Sequence, residues 1–577
     1  MKSDACEDGE TRFAGLDWTR RRPLADGGIK TQTMHILTVA QMRETERAAD
    51  AAGVSYAQMM QNAGQGAAAI ILQRLAGWQL AQRVQSEHSA RVLVLVGPGN
   101  NGGDGLVCAR ALQDAAQQPG GPALTVQVYL LKPRAEDDPV YAPLRESGIL
   151  IANAADDLRL RVLHQMLMHA DVIVDALLGT GVSRSIDGTL LAMLDEARSV
   201  LKSAARPVVV ALDGVTGMNY DTGALDPAAL QADLTVTFHA AKRGHFCYPA
   251  ARANGELVVT PIGIEHLPLN VNLDADGTVQ LADDAYVRAH LPRRAPDANK
   301  GSYGKVLVIG GCIDYSGAPT LAAEAAYRVG AGLVTLAVPR AIQPTAALLC
   351  REATFVTLPG TTESLSSDAL SRLEQAIHGL DQRHAIIVGP GMGQAAPTRP
   401  FMEGLLDLLR SKEGGARVLF DADALNHLAN LQDWPARLPT HSILTPHPGE
   451  MARLTGLSVK EVQANRMGLA LEFAQRWGHI VLLKGAFSVA AFPDHSALVL
   501  PYANSALAVA GTGDVLTGCI AGMLAQGLSA EEAAVCGACL HAGAGERWRD
   551  ENGAAGLLAG DLLSLLPHVI TDLHQTV

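Results

Sequence analysis

RVLVLVGPGNNGGDG, residues 91–105, decides how this chain folds. Residues 91–97 are a short Val- and Leu-rich run of strand length, and a run apolar on both faces suits a parallel sheet. PGNNGGDG (98–105) then brings glycines, two amides and an Asp, and a helix is expected to follow to about Ala116. A strand passing through a glycine turn into a helix is the unit from which parallel α/β sheets are built. The glycines miss the G-x-G-x-x-G register, so a dinucleotide redox site is not implied. The turn has two readings. Its glycines alone would serve a tight strand-to-helix connection. Asn100, Asn101, Gly102, Gly103 and Asp104 also present amides and bare backbone N–H groups suited to a phosphate or ribose.

The alternation extends on both sides. Helices are expected over 38–52 and 55–76, and further Val-rich runs are TVQVYLL (125–131), DVIVDALLG (171–179), PVVVALDG (207–214) and LTVTFHA (234–240). Strands alternating with helices predict an α/β fold, here a Rossmann-like doubly wound domain over 34–265. Residues 266–298, rich in Pro, Asp and Asn, read as a linker with one short helix near 282–290. The pattern restarts with KVLVIGG (305–311) and continues through LVTLAVP (333–339), AIIVGPG (385–391), RVLFDAD (417–423), SILTP (442–446) and IVLLKGA (480–486). A second α/β domain is expected over 299–577. Residues 1–33 are polar, charged and aperiodic, as in a disordered extension, and organised sequence begins at Met34, a candidate start of translation.

The 577 residues exceed what one core holds, in line with two domains. Lys and Arg total 46 against 59 Asp and Glu, a net charge of −13, which argues against nucleic-acid and acidic-membrane partners. Aromatic residues at 4% leave little for single-strand stacking platforms. Cys536 and Cys539, the only close cysteine pair, have no second pair or His at zinc spacing and read as buried thiols in a reducing cytoplasm. No run of 18 apolar residues and no signal-peptide pattern occurs.

Candidate site residues gather where strands end. In the first domain one turn runs Asp175-Ala176-Leu177-Leu178-Gly179-Thr180-Gly181-Val182-Ser183-Arg184-Ser185, and another runs Asp213-Gly214-Val215-Thr216-Gly217. Asp175 and Asp213 could cap helices. With the Asn101 carbonyl and the Thr216 hydroxyl they could equally make an all-oxygen cation site. In the second domain AGTGD (510–514) opens VLTGCIAGMLAQG (515–527), whose Val515, Leu516, Ile520, Met523 and Leu524 fall at helical spacing. Gly518 and Gly522 would let that helix lie close to a neighbour. Asp514 reads as a helix cap or as a general base beside a bound phosphate. NKGSYG (299–304), GAPTLAAEAAYRVGAGLV (317–334), GPGMG (389–393), DADALN (421–426), LTPHPGEMARL (444–454) and LLKGAFS (482–488) are further pieces. The glycine-rich and polar turns among them are expected at one sheet edge, with Asp421 and Asp423 as helix caps by default.

GPGNNGGDG, VDALLGTG, ALDGVTG…DTGAL and TVTFHAAKRG together resemble the N-terminal half of the bifunctional NAD(P)H-hydrate repair enzymes, over about 34–260. KG-x-x-G, GAGLV, GPGMG, DADALN, TPHPGE, LKGA and GTGDVL-x-G resemble their C-terminal dehydratase half, a ribokinase-like fold, over about 299–565. For the first half the resemblance implies epimerisation of the R and S hydrates of NADH and NADPH. It implies hydrate contacts at Asn100 to Asp104, Gly179 to Ser185 and Asp213, with Asp213 suited to acid/base work, and potassium at Asn101, Asp175 and Thr216. For the second half it implies ADP, ahead of ATP, at Lys484, Gly485, Ala486, Phe487, Ser488 and Gly513, with Mg2+ on its phosphates. The hydrate is expected at Ala318, Gly391, His447 and Asp514, with Asp514 as the base. The partners are then small-molecule substrates, and a homo-oligomer is expected. One departure stands out. The family usually shows Asp-x-Pro-Ser-Gly where this chain has Asp213-Gly214-Val215-Thr216-Gly217, and losing the proline frees φ at Val215. The competing reading is a small-molecule kinase of the same fold joined to a non-catalytic nucleotide-binding scaffold.

Overall fold

The computed structural model describes residues 34–575 except 76, 79–88, 182–184, 204–205, 268–276, 360–363, 379, 382 and 412–416. The expected extension 1–33 and Val182, Ser183 and Arg184 of the expected contact loop lie outside the described residues. Two units are formed, one of residues 36–267 and one of residues 277–575 together with Met34 and His35.

The first unit is built on strands β1 (Ala90–Val96), β2 (Leu124–Leu130), β3 (Leu150–Asn153), β4 (Val172–Ala176), β5 (Val208–Leu212), β6 (Leu234–Phe238) and β7 (Glu256–Thr260). They lie in the order β3-β2-β1-β4-β5-β6-β7, all parallel. Val92, Val94 and Val96 pack on one face with Ala63 and Ala67 of the Tyr56–Leu75 helix, and Leu93 and Leu95 pack on the other with Leu163 and Met193. Burial on both faces is why these strands are continuous apolar runs. The order reverses between β1 and β4, so the loops after these two strands part and leave a crevice.

The second unit holds β8 (Thr278–Leu281), β9 (Lys305–Ile309), β10 (Leu333–Pro339), β11 (Thr354–Leu358), β12 (His384–Val388), β13 (Arg417–Phe420), β14 (Ile443–Leu444), β15 (Ile480–Leu483), β16 (Val489–Ala491) and β17 (Ser496–Val499). Their order is β8-β17-β16-β15-β14-β13-β12-β9-β10-β11, and only β16 runs against its neighbours. Part of the expected linker belongs to this sheet. Thr278–Leu281 is its edge strand, paired with β17, because alternate residues Val279 and Leu281 are buried. The short helix expected near 282–290 spans Asp284–His290, capped by the Asp283 carboxylate.

The helix after AGTGD spans Thr512–Ala525. Its N-cap is Gly511, at φ 90°, a left-handed conformation that costs glycine least. Asp514 is therefore the third residue inside the helix and not its cap. Gly518 and Gly522 face the Ala318–Arg328 helix, where a Cβ on Gly518 would lie 2.2 Å from the Ala322 carbonyl oxygen. Gly518→Leu should lower the stability of this unit by about 1–3 kcal/mol through forced separation of the helices. Gly560→Ala, with open space around it, should change stability by less than about 1 kcal/mol. Urea unfolding followed by tryptophan fluorescence checks both.

Candidate functional site

In the first unit the turn after β1 is held by Arg134. It donates to the carbonyl oxygens of Gly97 (2.9 Å) and Gly99 (3.1 Å) and pairs with Asp138. The Asn100–Gln117 helix starts so close that a Cβ on Gly102 would lie 1.9 Å from the Gly97 oxygen. Asn101 is buried. Its Nδ2 donates to the Leu178 carbonyl at 3.1 Å, and its Oδ1 has no hydrogen-bond partner among the described residues. Asp175, fully buried, accepts from the Thr216 hydroxyl (2.6 Å), the Thr216 amide (2.9 Å) and the Leu177 amide (3.2 Å). Thr216 Oγ1 in turn accepts from the Leu178 amide. These bonds, with Val215 buried, pin the loop without the family's proline. A buried oxygen acceptor without a donor, beside a buried carboxylate and a hydroxyl, fits a hard monovalent cation.

Asp213 follows β5 at φ 63° and accepts from Thr237 Oγ1 and from the ammonium of Lys242. Lys242 is 1% exposed and also donates to the Thr237 hydroxyl and the Phe238 carbonyl. His245 Nδ1 accepts from the Lys242 amide, so its proton sits on Nε2, which donates to the Asp213 carbonyl at 2.9 Å. Burial and the Lys242 charge push the imidazole down to about 3, leaving it neutral. Burial pushes the Asp213 carboxyl up, but the Lys242 ammonium and the hydrogen bonds outweigh it and hold the group below its usual range. Asp104 takes the opposite course. Burial, then the charges of Asp213 and Glu46, push it well up. Two carboxyl groups driven apart in this way can divide proton donation and acceptance between them. Gly179 packs on Asn101 and Arg43 donates to the Thr180 carbonyl, while Gly181 and Ser185 are exposed. Lys242 and His245 were not among the expected site residues. Their signal was a lysine and a histidine just after the apolar run LTVTFHA.

In the second unit the turns after β9, β12, β13, β14 and β15 lie at the C-terminal ends of neighbouring strands. Asp421 is the hub and not a helix cap. It is 1% exposed and accepts from Lys484 Nζ, Thr445 Oγ1 and Thr517 Oγ1, each at 2.7 Å. Burial pushes its carboxyl up, but the Lys484 charge and these bonds hold it below its usual range. Ala422 beside it is at φ 51° and ψ −119°, strained for a residue with a Cβ. Asp423 accepts from the Gly393 amide at 2.9 Å and from Gln394, fastening the GPGMG turn. Gly391 in that turn packs on Ala318, with Cβ–Cβ spacing of only 3.0 Å were it alanine.

His447 caps the Pro448–Thr455 helix through Nδ1, which accepts from the Gly449 and Glu450 amides, so Nε2 carries the proton. Burial and the Lys484 charge lower its basicity. Glu450 accepts from the His447 amide at 2.7 Å and lies 3.8 Å from Lys484 Nζ; burial first, and Asp421 second among the raising causes, put it at about 7. Asp514 rises to about 7 as well, through burial and the charge of Asp421. The Gly485 to Ser488 turn is closed by the Ser488 hydroxyl donating to the Gly485 carbonyl, with Phe487 at φ 52°. Lys484 and Gly513 are neighbours, since a Cβ on Gly513 would sit 3.6 Å from Nζ. The NKGSYG segment does not join this edge: it enters β9 at the opposite, N-terminal end. Glu450, Thr445 and Thr517 went unsingled in the sequence, although TPHPGE and VLTG contain them. Among the described residues no three His, Cys, Asp or Glu side chains are placed to hold a metal ion. Cys536 and Cys539 are buried and unpaired in the Ala530–Asn552 helix.

Residues 306–568 match the family model described as NAD(P)H-hydrate dehydratase, and 56–244 match that described as YjeF-related protein N-terminus. The bifunctional NAD(P)H-hydrate repair enzyme of Moorella thermoacetica is 36% identical over 556 residues, 94% of this chain and 98% of its own length. That of Escherichia coli K12 is 31% identical over 535 residues, 92% of each chain. The crystal structure of a Bacillus subtilis ADP/ATP-dependent NAD(P)H-hydrate dehydratase, co-crystallized with ATP/Mg2+, is 34% identical and covers 51% of this chain and 98% of its own, at a TM-score of 0.44. With both halves matched in order and the relatives spanned almost end to end, the chain belongs to the family of bifunctional NAD(P)H-hydrate repair enzymes.

Proposed function

We propose that the chain restores hydrated NADH and NADPH. The first unit interconverts the R and S hydrates, and the second dehydrates the S form using ADP. The observation that supports this most is Asp514, a carboxyl at about 7 in the first turn of a helix, beside the Lys484–Asp421 pair. A base poised near neutrality at a helix N-terminus suits removal of a hydroxyl proton next to a phosphate.

The hydroxyl at C6 of the hydrate is a poor leaving group. ADP at Lys484, Gly485, Ala486, Phe487, Ser488 and Gly513 supplies the phosphoryl group that makes it a good one, and AMP leaves. Asp514 takes the hydroxyl proton. Lys484 and the open first-turn amides of the Thr512–Ala525 helix stabilise the charge that develops on the transferring oxygens. Glu450 keeps one carboxylate oxygen free of hydrogen bonds, a hard donor suited to Mg2+ carried on the phosphates. His447 Nε2–H, 3.5 Å from Glu450 Oε1, can turn its donation to the hydrate, and Ala318 with Gly391 forms a wall of small residues. The ring-nitrogen lone pair then expels phosphate, and loss of a C5 proton restores the reduced nicotinamide.

In the first unit, Asn100, Gly102 and Gly103 open the helix toward the hydrate, Asp104 gives a proton and ionised Asp213 accepts one, as ring opening or dehydration and re-addition at C6 require. Potassium held by Asn101, Asp175 and Thr216 would contribute a fixed positive charge to the crevice. We assign 34–265 to epimerisation and 299–577 to dehydration, the latter now joined by β8 and the 284–290 helix. The protein acts as a homo-oligomer in a reducing cytoplasm, in keeping with seven described cysteines that form no disulfide; light scattering of the purified chain tests the assembly.

With S-hydrate, adding ADP should raise absorbance at 340 nm, faster than ATP does; a kinase would give a phosphorylated product and no such rise. Asp514→Asn should cut dehydration about 10²–10⁴-fold and leave R-to-S exchange intact. Because the base must be ionised, wild-type kcat should climb about tenfold per pH unit below about 7 and level off above it. Lys242→Met strips Asp213 of its ammonium inside the fold, which should cost the first unit about 3–5 kcal/mol. Hydrogen exchange of peptides spanning β5 and β6 reads that loss, with dehydration unaffected.

A further inference from the structure

NKGSYG has no role in either site, yet it is tightly built. The Asn299 side-chain Oδ1 accepts from the Gly301 amide at 2.8 Å, and Lys300–Tyr303 make a 3-10 turn into β9. Gly332, at the entrance to β10, lies so near that a Cβ there would stand 1.8 Å from the Lys300 carbonyl oxygen. The two strand entrances bound a cavity of about 350 Å³, within the range of small-molecule sites. Arg294, Asn299, Lys300, Tyr303 and Tyr327 line it, with small residues filling the gaps. It opens at the N-terminal ends of β9 and β10, whereas Gly391, Lys484 and Asp514 lie past C-terminal ends. The five residues of β9 put roughly 16 Å between the two levels.

The charges on this cavity are unbalanced. The Arg294 guanidinium stacks 3.9 Å over the Tyr303 ring, which fixes its plane. Arg294 and Lys300, both exposed, have no carboxylate partner among the described residues. The Tyr327 hydroxyl is already engaged, donating to the Glu352 carbonyl at 2.8 Å and accepting from the Val334 amide at 3.0 Å. The Tyr327 side chain therefore offers ring surface, Tyr303 is 9% exposed beneath the Arg294 guanidinium, and the two cations lack an anion.

We propose that this cavity binds a small phosphorylated anion, its phosphate between Arg294 and Lys300 and its body against Tyr327. The site is separate from the one at Asp514. Equilibrium dialysis of the full chain, with labelled ADP and separately with inorganic pyrophosphate, compares wild type with Arg294→Ala/Lys300→Ala. The double variant should bind one equivalent less per chain, with kcat and the KM for ADP in dehydration unchanged. Loss with both probes identifies the phosphate as the recognised part, and loss with ADP alone adds the nucleoside. Coincident isotherms with both probes overturn the proposal. A lost equivalent accompanied by a raised KM for ADP overturns it too, because the residues would then belong to the dehydration site.

Discussion

A carboxylate buried at the end of β13 sets the geometry of the second unit. A charge withdrawn from water has to be met by donors, and those of Asp421 come from separate elements. Thr445 follows β14, Lys484 follows β15, and Thr517 lies one turn beyond Asp514 in the Thr512–Ala525 helix. A single side chain thereby ties three strand ends and one helix together. Its charge also reaches further than its hydrogen bonds, since it is the largest electrostatic cause raising Asp514. Position and basicity of the candidate base depend on the same group.

The first unit reaches a similar solution on a different sheet. Asp213 at the end of β5 is met by the buried ammonium of Lys242, and a second carboxyl, Asp104, is pushed up by burial and then by the first. In both units the paired carboxylate stays ionised and its neighbour is driven toward the protonated form. Parallel strands make this economical in residues, because their C-terminal ends lie side by side and each contributes one loop. The glycine turns in both units keep side chains out of the space where those loops meet.

Central strands were legible because burial on both faces makes them unbroken apolar runs, as RVLVLVG and AIIVGPG are. Strands β3, β7, β8, β11, β16 and β17 were not; the first four are sheet edges, and β16 and β17 are interior but only three and four residues long. Leu150 on β3 is 57% exposed, so its pattern mixes polar and apolar residues as loops do. Thus TVQL inside a Pro- and Asp-rich stretch looked like linker. The glycine turns and Asp514 could be picked out because small residues before a helix are a local signal. Lys242, Glu450 and Thr517 act through partners 29, 34 and 96 residues away in sequence, and no local pattern announces such pairings. The motifs nevertheless contained them, because the family resemblance rests on whole segments.

The close approach at Gly518 bears on alignment as well as stability. The Ala318–Arg328 helix begins at the wall formed with Gly391, and the Thr512–Ala525 helix begins at the turn before Asp514. At Gly518 the helix rests on the Ala322 carbonyl and the Ala325 methyl, neither of which has a rotamer to change. The gap between the wall and the base is thus a gauge block, set by peptide geometry and insensitive to rotamer choice. Since a misplacement of about 1 Å can cost about 10²-fold in rate, variation at position 518 is constrained by the width of the ring that must fit, even though the residue does not reach it.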